Sequence, residues 1–275
     1  MGGGPQSFGD ETMSIASGNG AFGNHIKVTV AGHVAVITID KPPHNHVSVD
    51  LMRDLANALD AIDGEIDLRC SVLQSAGKNF CAGADLVSRE SAGGLGAVNP
   101  LYDEAVRLFS AKKPIVAAVQ GAAVGAGLGL AVMADFRVAS PDARFAANFV
   151  KLGFHPGFGL TYTLPRLIGP NKAELMCLTG RRVKAEEGLP WGLVDEVVPL
   201  EDLRAAALRL AREIAENAPL AIVSTRKTMR ADLAAAVRAQ TDKEAVEQGW
   251  LRGTEDYREG VRSVTERRVG NFVGR

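Results

Sequence analysis

A nearly uncharged stretch in the middle of the chain, residues 113–135, constrains the fold more than any other feature. It reads KPIVAAVQGAAVGAGLGLAVMAD and begins with a short apolar run around Val116, as expected for a buried strand. Gly125, Ala126 and Gly127 follow, and such small residues leave backbone N–H groups open to a ligand. The first N–H groups of a helix lack intrahelical acceptors and carry partial positive charge. The stretch therefore predicts a strand, a turn and a helix start that together form an anion site.

A membrane span is one alternative for this stretch. Residues 114–134 are long enough to cross a bilayer, and Gly121, Gly125 and Gly129 have the four-residue spacing of membrane helix dimers. The stretch is nevertheless rich in Gly and Ala rather than Leu and Ile, and no aromatic belt flanks it. These features disfavour a span.

The glycines permit two further interpretations. Gly125 and Gly127 match the first two glycines of a dinucleotide-binding GxGxxG loop, but Leu130 stands at the third position. A tightly packed core helix would also require small residues. The sequence upstream favours the anion site over both.

A second segment repeats the arrangement of strand, turn and small residues. Residues 70–87 read CSVLQSAGKNFCAGADLV, with Val72 and Leu73 in a short apolar strand and small residues leading to Asp85. Two such turns can place two backbone N–H groups on one oxygen, which is the geometry of an oxyanion hole.

At these residues the chain resembles the crotonase superfamily, also called the enoyl-CoA hydratase/isomerase family. The matching segments include GKNFCAGADL, KPIVAAVQGAAVGAGLGLAVMADFRVAS, LGFHPGFGLTYTLPRLIG and DYREGVRSVTERRVGNF. They extend from about Lys27 to Phe272. The resemblance implies an α/β fold, a spiral of repeated ββα units with a helical C-terminal region, and assembly as a homotrimer or a dimer of trimers.

The resemblance also implies an oxyanion hole. The N–H groups of Ala84 and Ala126 are expected to hold the thioester carbonyl oxygen of an acyl-CoA and to stabilise an enolate. An enoyl-CoA hydratase or isomerase is the expected enzyme, with no cofactor, since coenzyme A is part of the substrate. The neighbouring residues expected to contact the substrate are Ala82, Asp85, Leu86 and Val87.

The carboxylates that hydratases of this family use are missing at the matching positions. Gly129 stands in place of the first glutamate and Phe149 in place of the second, and Gly157 stands where dienoyl-CoA isomerases carry an aspartate. Glycine and phenylalanine neither activate water nor deliver a proton. The exact reaction is therefore open, and acyl-CoA binding without turnover is the alternative. Phe149 and Phe158 are expected to form an apolar wall for a bulky or cyclic acyl group.

Several more residues are candidates for proton transfer. His155 carries an imidazole, a common group for general acid–base catalysis, and precedes Pro-Gly in the loop that forms the site. Glu90 follows the AGAD segment. A histidine fixed by a neighbouring carbonyl and a solvated loop carboxylate are the structural alternatives. Tyr102 and Tyr162 are further phenol donors, although a buried hydroxyl bonded in the core is the simpler expectation.

Three residue types have weaker functional signals. Cys81 lies close to Ala84 but fits a small buried residue without an activating partner. His44 and His46 are expected to point to opposite sides of an extended segment that is exposed or contacts CoA, which disfavours a metal site. Arg267 matches a family lysine that approaches CoA from a neighbouring subunit, or is a solvated helix arginine.

Composition agrees with a soluble cytoplasmic protein. The 31 basic and 32 acidic side chains provide no general basic surface for nucleic acid or anionic lipid. The three cysteines form neither a metal-ligand spacing nor an even disulfide set, which favours a reducing compartment.

The chain divides into three expected regions. Residues 1–24 are rich in Gly, Ser and Asn without a signal-peptide core and are predicted to be a disordered extension. Residues 25–200 are assigned to the crotonase spiral and residues 201–275 to the helical region. Thr29–Ile39 predicts two half-strands around Gly-His, and Leu51–Ile62 has helical apolar spacing.

Overall fold

The fold is described by a computed structural model for residues 19–84 and 100–275. The strands are β1 (Asn19–Phe22), β2 (Ile26–Ala31), β3 (Val34–Ile39), β4 (Cys70–Ser75), β5 (Ile115–Val119), β6 (Ala122–Val124), β7 (Phe136–Ala139), β8 (Arg144–Ala146), β9 (Val183–Lys184) and β10 (Glu196–Val197). The helices are α1 (Val49–Gly64), α2 (Pro100–Leu108), α3 (Ala126–Met133), α4 (Leu160–Ile168), α5 (Pro170–Thr179), α6 (Ala185–Gly188), α7 (Leu203–Ala215), α8 (Pro219–Met229), α9 (Leu233–Leu251) and α10 (Glu255–Thr265).

The larger sheet in these residues has seven strands in the order β1-β2-β3-β4-β5-β7-β10. β1, β2 and β3 pair antiparallel, whereas the pairs from β3 through β4, β5 and β7 to β10 are parallel. In a smaller sheet, β8 pairs with β6 in parallel and with β9 antiparallel. Because parallel strands end at the same edge of a sheet, the turns after β4 and β5 emerge side by side, where ligands of α/β proteins commonly bind.

Both faces of the central parallel strands are buried. On one face, Val34, Val72 and Val116 form a core cluster with residues of α7. On the other face, Ile37 and Leu73 belong to the main core, to which α1 also contributes. Sheets covered by helices on both sides need continuous apolar strands, which explains why these strands lack the polar alternation of a half-exposed sheet.

The predicted half-strands and helix are confirmed. β2 and β3 form an antiparallel hairpin on either side of Gly32 and His33, and α1 contains the predicted segment. Ser48 caps α1 through its Oγ, which accepts a hydrogen bond from the Leu51 N–H at 3.3 Å.

The central stretch departs from the prediction in one respect. Residues 113–135 contain two strands, β5 and β6, before α3 begins. The extra strand pairs with β8 and thereby joins the smaller sheet. The membrane-span alternative is wrong, because residues 114–134 are divided among these elements. Among the described residues, every helix is too short or too polar to cross a bilayer.

Strand β1 lies inside the segment that composition predicted to be disordered. Its residues pair with β2, from Asn19 opposite Thr29 to Phe22 opposite Ile26, and Phe22 packs against the core. Backbone pairing with an edge strand requires no apolar sequence pattern, so a segment rich in Gly and Asn can extend the sheet. The disorder prediction therefore does not hold for these four residues.

A half-buried carboxylate ties the C-terminal helices to the sheet. Asp135 accepts a hydrogen bond from the Ile115 N–H at 2.8 Å. It also forms ion pairs with Arg226 at 3.0 Å and Arg230 at 3.2 Å. The bonds connect α8 and the residue that follows it to the first residue of β5, the strand that leads into the glycine-rich turn.

Candidate active site

The structure brings together the two segments that were predicted to supply backbone donors. The Cys81 N–H donates to the Ala122 carbonyl at 2.8 Å, and the Val124 N–H donates to the Cys81 carbonyl at 3.1 Å. An ideal Cβ built on Gly83 would lie 2.7 Å from the Val124 oxygen and 3.9 Å from the Ala126 nitrogen. The backbone on either side of Ala84 and Ala126 is therefore in close contact.

The second donor segment ends in the N-terminus of α3. Gly125 precedes the helix in a positive-φ conformation and supplies no side-chain cap. The Leu128 and Gly129 N–H groups donate to the Gly125 carbonyl at 3.0 and 3.2 Å. The Ala126 and Gly127 N–H groups precede these bonds, in the part of the first turn that has no intrahelical acceptor.

Close packing explains why small residues are required here. A Cβ on Gly127 would lie 2.1 Å from the Cys81 carbonyl oxygen, so any other residue would push the two turns apart. Cys81 itself is buried, and burial raises the pKa of its thiol to about 11. These observations agree with the interpretation of Cys81 as a packed residue rather than a nucleophile.

Ala84 is half-buried at the end of the first donor segment. It forms a parallel bridge with Val47, and the Val47 N–H donates to the Gly83 carbonyl at 3.0 Å. No backbone hydrogen bond from the Ala84 N–H occurs within residues 19–84 and 100–275. By contrast, the Ala82 N–H is occupied, since it donates to the His44 carbonyl at 3.1 Å.

A turn around Asn45 holds this segment in place. Asn45 is buried in a left-handed conformation, with φ 55°. Its Nδ2 donates to the carbonyls of Ala76 and Asn79 at 2.9 and 2.8 Å, and its Oδ1 accepts from the Lys41 N–H at 2.8 Å. One side chain thus connects the turn after β3 to the turn after β4.

The expectation that His44 and His46 point to opposite sides is wrong. The left-handed Asn45 between them turns the chain, and their rings contact edge to face with centroids 5.7 Å apart. His46 Nδ1 lies 3.1 Å from the Gly83 oxygen, and His44 Nδ1 lies 3.1 Å from Asn79 Nδ2. The tolerance of asparagine for the left-handed conformation is the signal in the sequence that indicates this turn.

Phe158 occupies the space beside Gly129, at the position where the resemblance placed a missing carboxylate. A Cβ on Gly129 would lie 2.4 Å from the Phe158 ring. Phe158 is 1% exposed and has φ 65°, a conformation that non-glycine residues rarely adopt. The local environment at residue 129 is therefore apolar.

The Tyr102 hydroxyl fills the corresponding space beside Gly157. A Cβ on Gly157 would lie 1.9 Å from Tyr102 Oη and 2.6 Å from Gln248 Nε2. Gln248 Nε2 donates to Tyr102 Oη and to the His155 carbonyl, both at 2.9 Å. Burial raises the pKa of Tyr102 to about 12, so the phenol is protonated near neutral pH. The buried, hydrogen-bonded interpretation of Tyr102 is confirmed, whereas its position against Gly157 has no signal in the sequence.

Phe149 lies over the start of α3. Its Cζ would be 3.7 Å from a Cβ on Gly125, and its ring contacts that of Phe154 with centroids 5.5 Å apart. The side chains that pack near the second donor turn are thus aromatic here.

His155 and Tyr162 are both half-buried. His155 Nδ1 lies 2.7 Å from the Pro156 carbonyl oxygen, so this nitrogen is the proton donor in that contact. Tyr162 lies on α4.

Glu244 is a fully buried carboxylate that sequence reasoning missed. It accepts from the Gly159 N–H at 2.7 Å and the Thr161 N–H at 3.0 Å, at the start of α4. Burial raises the pKa of its carboxyl, while the bonds from Thr161 and Gly159 oppose that rise. A glutamate in a polar helical sequence gives no sign that it caps another helix.

Five predicted site residues remain. Asp85, Leu86, Val87 and Glu90 lie outside the described residues. Arg267 is exposed beyond the end of α10.

Comparisons with known proteins indicate the relationships of the chain. The model of the enoyl-CoA hydratase/isomerase family matches residues 29–275. A probable enoyl-CoA hydratase of Mycobacterium tuberculosis is 40% identical over 75% of this chain and 81% of the relative. The 1,2-epoxyphenylacetyl-CoA isomerase of Escherichia coli is 33% identical over 88% of this chain and 95% of its own length.

Solved structures give the same relationship. The crystal structure of an enoyl-CoA hydratase/isomerase from Pseudoalteromonas atlantica has a TM-score of 0.82 and 28% identity to this chain. The match covers 91% of this chain and all of that one.

Proposed function

Because the chain belongs to the enoyl-CoA hydratase/isomerase family, we propose that it holds an acyl-CoA carbonyl oxygen between the N–H groups of Ala84 and Ala126. The observation that carries this proposal is the contact between the two donor turns, with a Gly83 Cβ position only 3.9 Å from the Ala126 nitrogen. Two backbone donors on one oxygen stabilise the negative charge of an enolate. Both donors lie in a site that requires no cofactor beyond the coenzyme A of the substrate.

Proton transfer on the acyl chain is the chemistry that we favour over water addition. Addition of water requires groups that activate the water and deliver a proton. The Phe158 ring fills the space beside Gly129, and Phe149 lies over the start of α3. Neither ring can activate water or deliver a proton. His155 and Glu90 are our candidates for the proton transfer, and substitution of each tests its part.

A bulky or cyclic acyl group is the substrate class that we propose. The rings of Phe149 and Phe158 lie close to the second donor turn, and aromatic side chains favour contact with flat apolar groups. The related isomerase of Escherichia coli, whose name specifies 1,2-epoxyphenylacetyl-CoA, supports this choice. Ala82, Asp85, Leu86 and Val87 are proposed to contact the substrate beside the first donor.

Acyl-CoA binding without turnover is the second candidate function. It is favoured by the absence of a carboxylate at residues 129, 149 and 157. The phenol of Tyr102 and the ring of Phe158 occupy the space at two of these positions. Under this alternative the donor turns still bind the thioester, but no group moves a proton.

We also propose assembly as a homotrimer or a dimer of trimers. The C-terminal helices α8 and α9 expose large apolar side chains, including Leu220, Met229, Val246 and Trp250, and such patches mark interaction sites. Arg267 is proposed to approach a CoA phosphate across a subunit boundary. Light scattering tests the assembly, and a monomer at working concentrations would contradict it.

The test is turnover of a panel of linear, branched and cyclic enoyl-CoA thioesters, with products identified by mass. The Ala84→Pro variant removes one N–H donor, whereas Ala84→Gly retains it and serves as the matched control. Loss of one such donor is expected to lower kcat by about 100-fold to 1,000-fold. Circular dichroism and thermal unfolding confirm that both variants are folded.

A binding measurement on the unmodified protein completes the test. An S-alkyl-CoA thioether lacks the carbonyl oxygen, so it is expected to bind more weakly than the matching acyl-CoA. Equal affinities would contradict the oxyanion hole. Saturable binding of acyl-CoA with no turnover across the panel would favour the second candidate, and a product heavier by one water would contradict our preference for proton transfer.

A further inference from the structure

The peptide group between Gly83 and Ala84 has an engaged hydrogen-bond acceptor at one end and the proposed donor at the other. The carbonyl oxygen of Gly83 accepts the Val47 N–H at 3.0 Å and lies 3.1 Å from His46 Nδ1. The N–H of the same planar peptide belongs to Ala84. Since C=O and N–H of a trans peptide point in opposite directions, the contacts on the Gly83 oxygen determine where the Ala84 N–H points.

The contact fixes the tautomer of His46. A carbonyl oxygen only accepts hydrogen bonds, so His46 Nδ1 carries a hydrogen and donates it. This donation is present in both the neutral Nδ1–H form and the charged form of the ring.

His44 has the opposite tautomer. Asn79 Oδ1 accepts the Ala122 N–H at 3.1 Å, which directs Asn79 Nδ2 toward His44. Because an amide nitrogen donates, His44 Nδ1 is the acceptor and carries no hydrogen. Two histidines in one turn thus have different roles, and His44 provides a natural comparison.

The His46 side chain is not needed to hold the turn itself. Asn45 connects the turn to the carbonyls of Ala76 and Asn79, and the Val47 N–H supplies a separate bond to Gly83. His46 is only half-buried. Its removal is therefore expected to leave the fold intact and to change mainly the Gly83–Ala84 peptide.

We propose that His46 is a positioning residue that aims and polarises the Ala84 N–H through its Nδ1–H bond to the Gly83 oxygen. Hydrogen bonds in a chain strengthen one another, because donation to a carbonyl makes the N–H of the same peptide a better donor. The His46 bond to the Gly83 oxygen thus increases the stabilisation that the Ala84 N–H gives to a thioester oxygen. The inference rests on the proposed function of Ala84.

The experiment compares His46→Leu, His46→Asn and the control His44→Leu. Leucine removes the donor, whereas the Asn side-chain nitrogen can replace Nδ1. The probe is cinnamoyl-CoA labelled with 13C at the thioester carbonyl, whose infrared stretch moves to lower frequency when the oxygen accepts strong hydrogen bonds. The frequency is measured in the bound state together with Kd and, on a turned-over substrate, kcat and KM.

The expected result is a smaller frequency shift in His46→Leu than in the unmodified protein. The kcat of this variant is expected to fall by about fivefold to tenfold, as for loss of one hydrogen bond, with little change in KM. The shift is restored in His46→Asn and unchanged in His44→Leu. A full shift in folded His46→Leu would overturn the proposal, whereas no shift in the unmodified protein would instead contradict the oxyanion hole itself.

A measurement without any substitution makes the test independent of variant folding. In 15N-labelled protein, the chemical shift of each ring nitrogen of the two histidines shows whether that nitrogen carries a hydrogen. His46 is expected to show a protonated Nδ1 and His44 an unprotonated Nδ1. An unprotonated His46 Nδ1 would overturn the inference.

Discussion

The ring of Phe158 packs directly against the backbone of Gly129. A Cβ on Gly129 would lie 2.4 Å from Cδ1, 2.5 Å from Cγ and 2.8 Å from Cβ of Phe158. These three atoms of Phe158 lie close to its backbone, so they cannot move aside as the end of a flexible side chain can. Residue 129 can therefore gain a side chain only if residue 158 loses volume or the backbone moves.

Alanine at residue 129 tests this packing. Gly129→Ala is expected to lower the free energy of unfolding by about 1–3 kcal/mol through overpacking. Combined with Phe158→Ala, it is expected to cost less than the sum of the two single changes, because the new methyl group enters the vacated space. Urea unfolding of the four proteins measures this coupling.

Gly249 provides the matched control for that series. It lies within α9, and apart from the adjacent helix backbone a Cβ there would meet no atom of residues 19–84 and 100–275 within 4 Å. Gly249→Ala is expected to be neutral or to stabilise the protein by up to about 1 kcal/mol. Additive effects at residues 129 and 158 would contradict the steric explanation.

A second double-mutant cycle examines Gly157 and Tyr102. Gly157→Ala is expected to be destabilising because its Cβ would lie 1.9 Å from Tyr102 Oη. Removal of the hydroxyl in Tyr102→Phe relieves only part of that collision, because Tyr102 Cζ at 2.5 Å and Gln248 Nε2 at 2.6 Å remain. The cost of Gly157→Ala is therefore expected to be reduced, but not abolished, in the Tyr102→Phe background. Thermal unfolding gives the comparison. An equal cost in both backgrounds would show that the hydroxyl does not restrict residue 157.

Asp135 is expected to be a large contributor to stability. Asp135→Ala leaves Arg226 and Arg230 without their shared carboxylate, and Arg226 is only 8% exposed. Removal of one partner of a buried ion pair costs about 3–5 kcal/mol. Chemical unfolding of this variant is compared with Asp60→Ala, which removes the exposed partner of Arg107.

The exposed pair is expected to contribute less than about 1 kcal/mol. Similar losses for the two variants would mean that α8 is held on the sheet by apolar contacts rather than by Asp135.

The buried thiol of Cys81 predicts a dependence of stability on pH. Burial raises the pKa of Cys81 from 9.0 to about 11. The unfolded chain therefore releases this proton first, and the contribution of the group is fully present below pH 9 and lost as the pH rises toward 11. Stability of the unmodified protein is expected to fall more steeply over this interval than that of Cys81→Ala.

Urea unfolding at several pH values between about 8 and about 11 measures the difference between the two slopes. Parallel curves would contradict a raised pKa for Cys81.

Much of the backbone arrangement follows from local patterns in the sequence. Apolar runs around Val72 and Val116 predict buried strands, and glycines mark the turns after them. A parallel sheet then brings the two turns to one edge. These patterns do not predict the extra strand β6. It has only three residues between two glycines, which is too short for a hydrophobic periodicity that would distinguish a strand from a turn.

The side chains that surround the donors are less accessible to sequence reasoning. Tyr102 meets Gly157 and Gln248 across distances of 55 and 146 residues along the chain. Such pairs depend on how helices dock, not on local spacing. The alternating pattern also misplaces His46, because it assumes an extended chain and Asn45 is left-handed.

The two donor turns are built from peptide groups, and their separation is determined by bonds between Cys81, Ala122 and Val124. A mutation can replace a side chain but not a peptide N–H, except by introducing proline. Descendants of such a chain can therefore change the side chains around the turns while the two backbone N–H groups stay in place. For this architecture, inheritance of the scaffold and inheritance of the reaction are separate events.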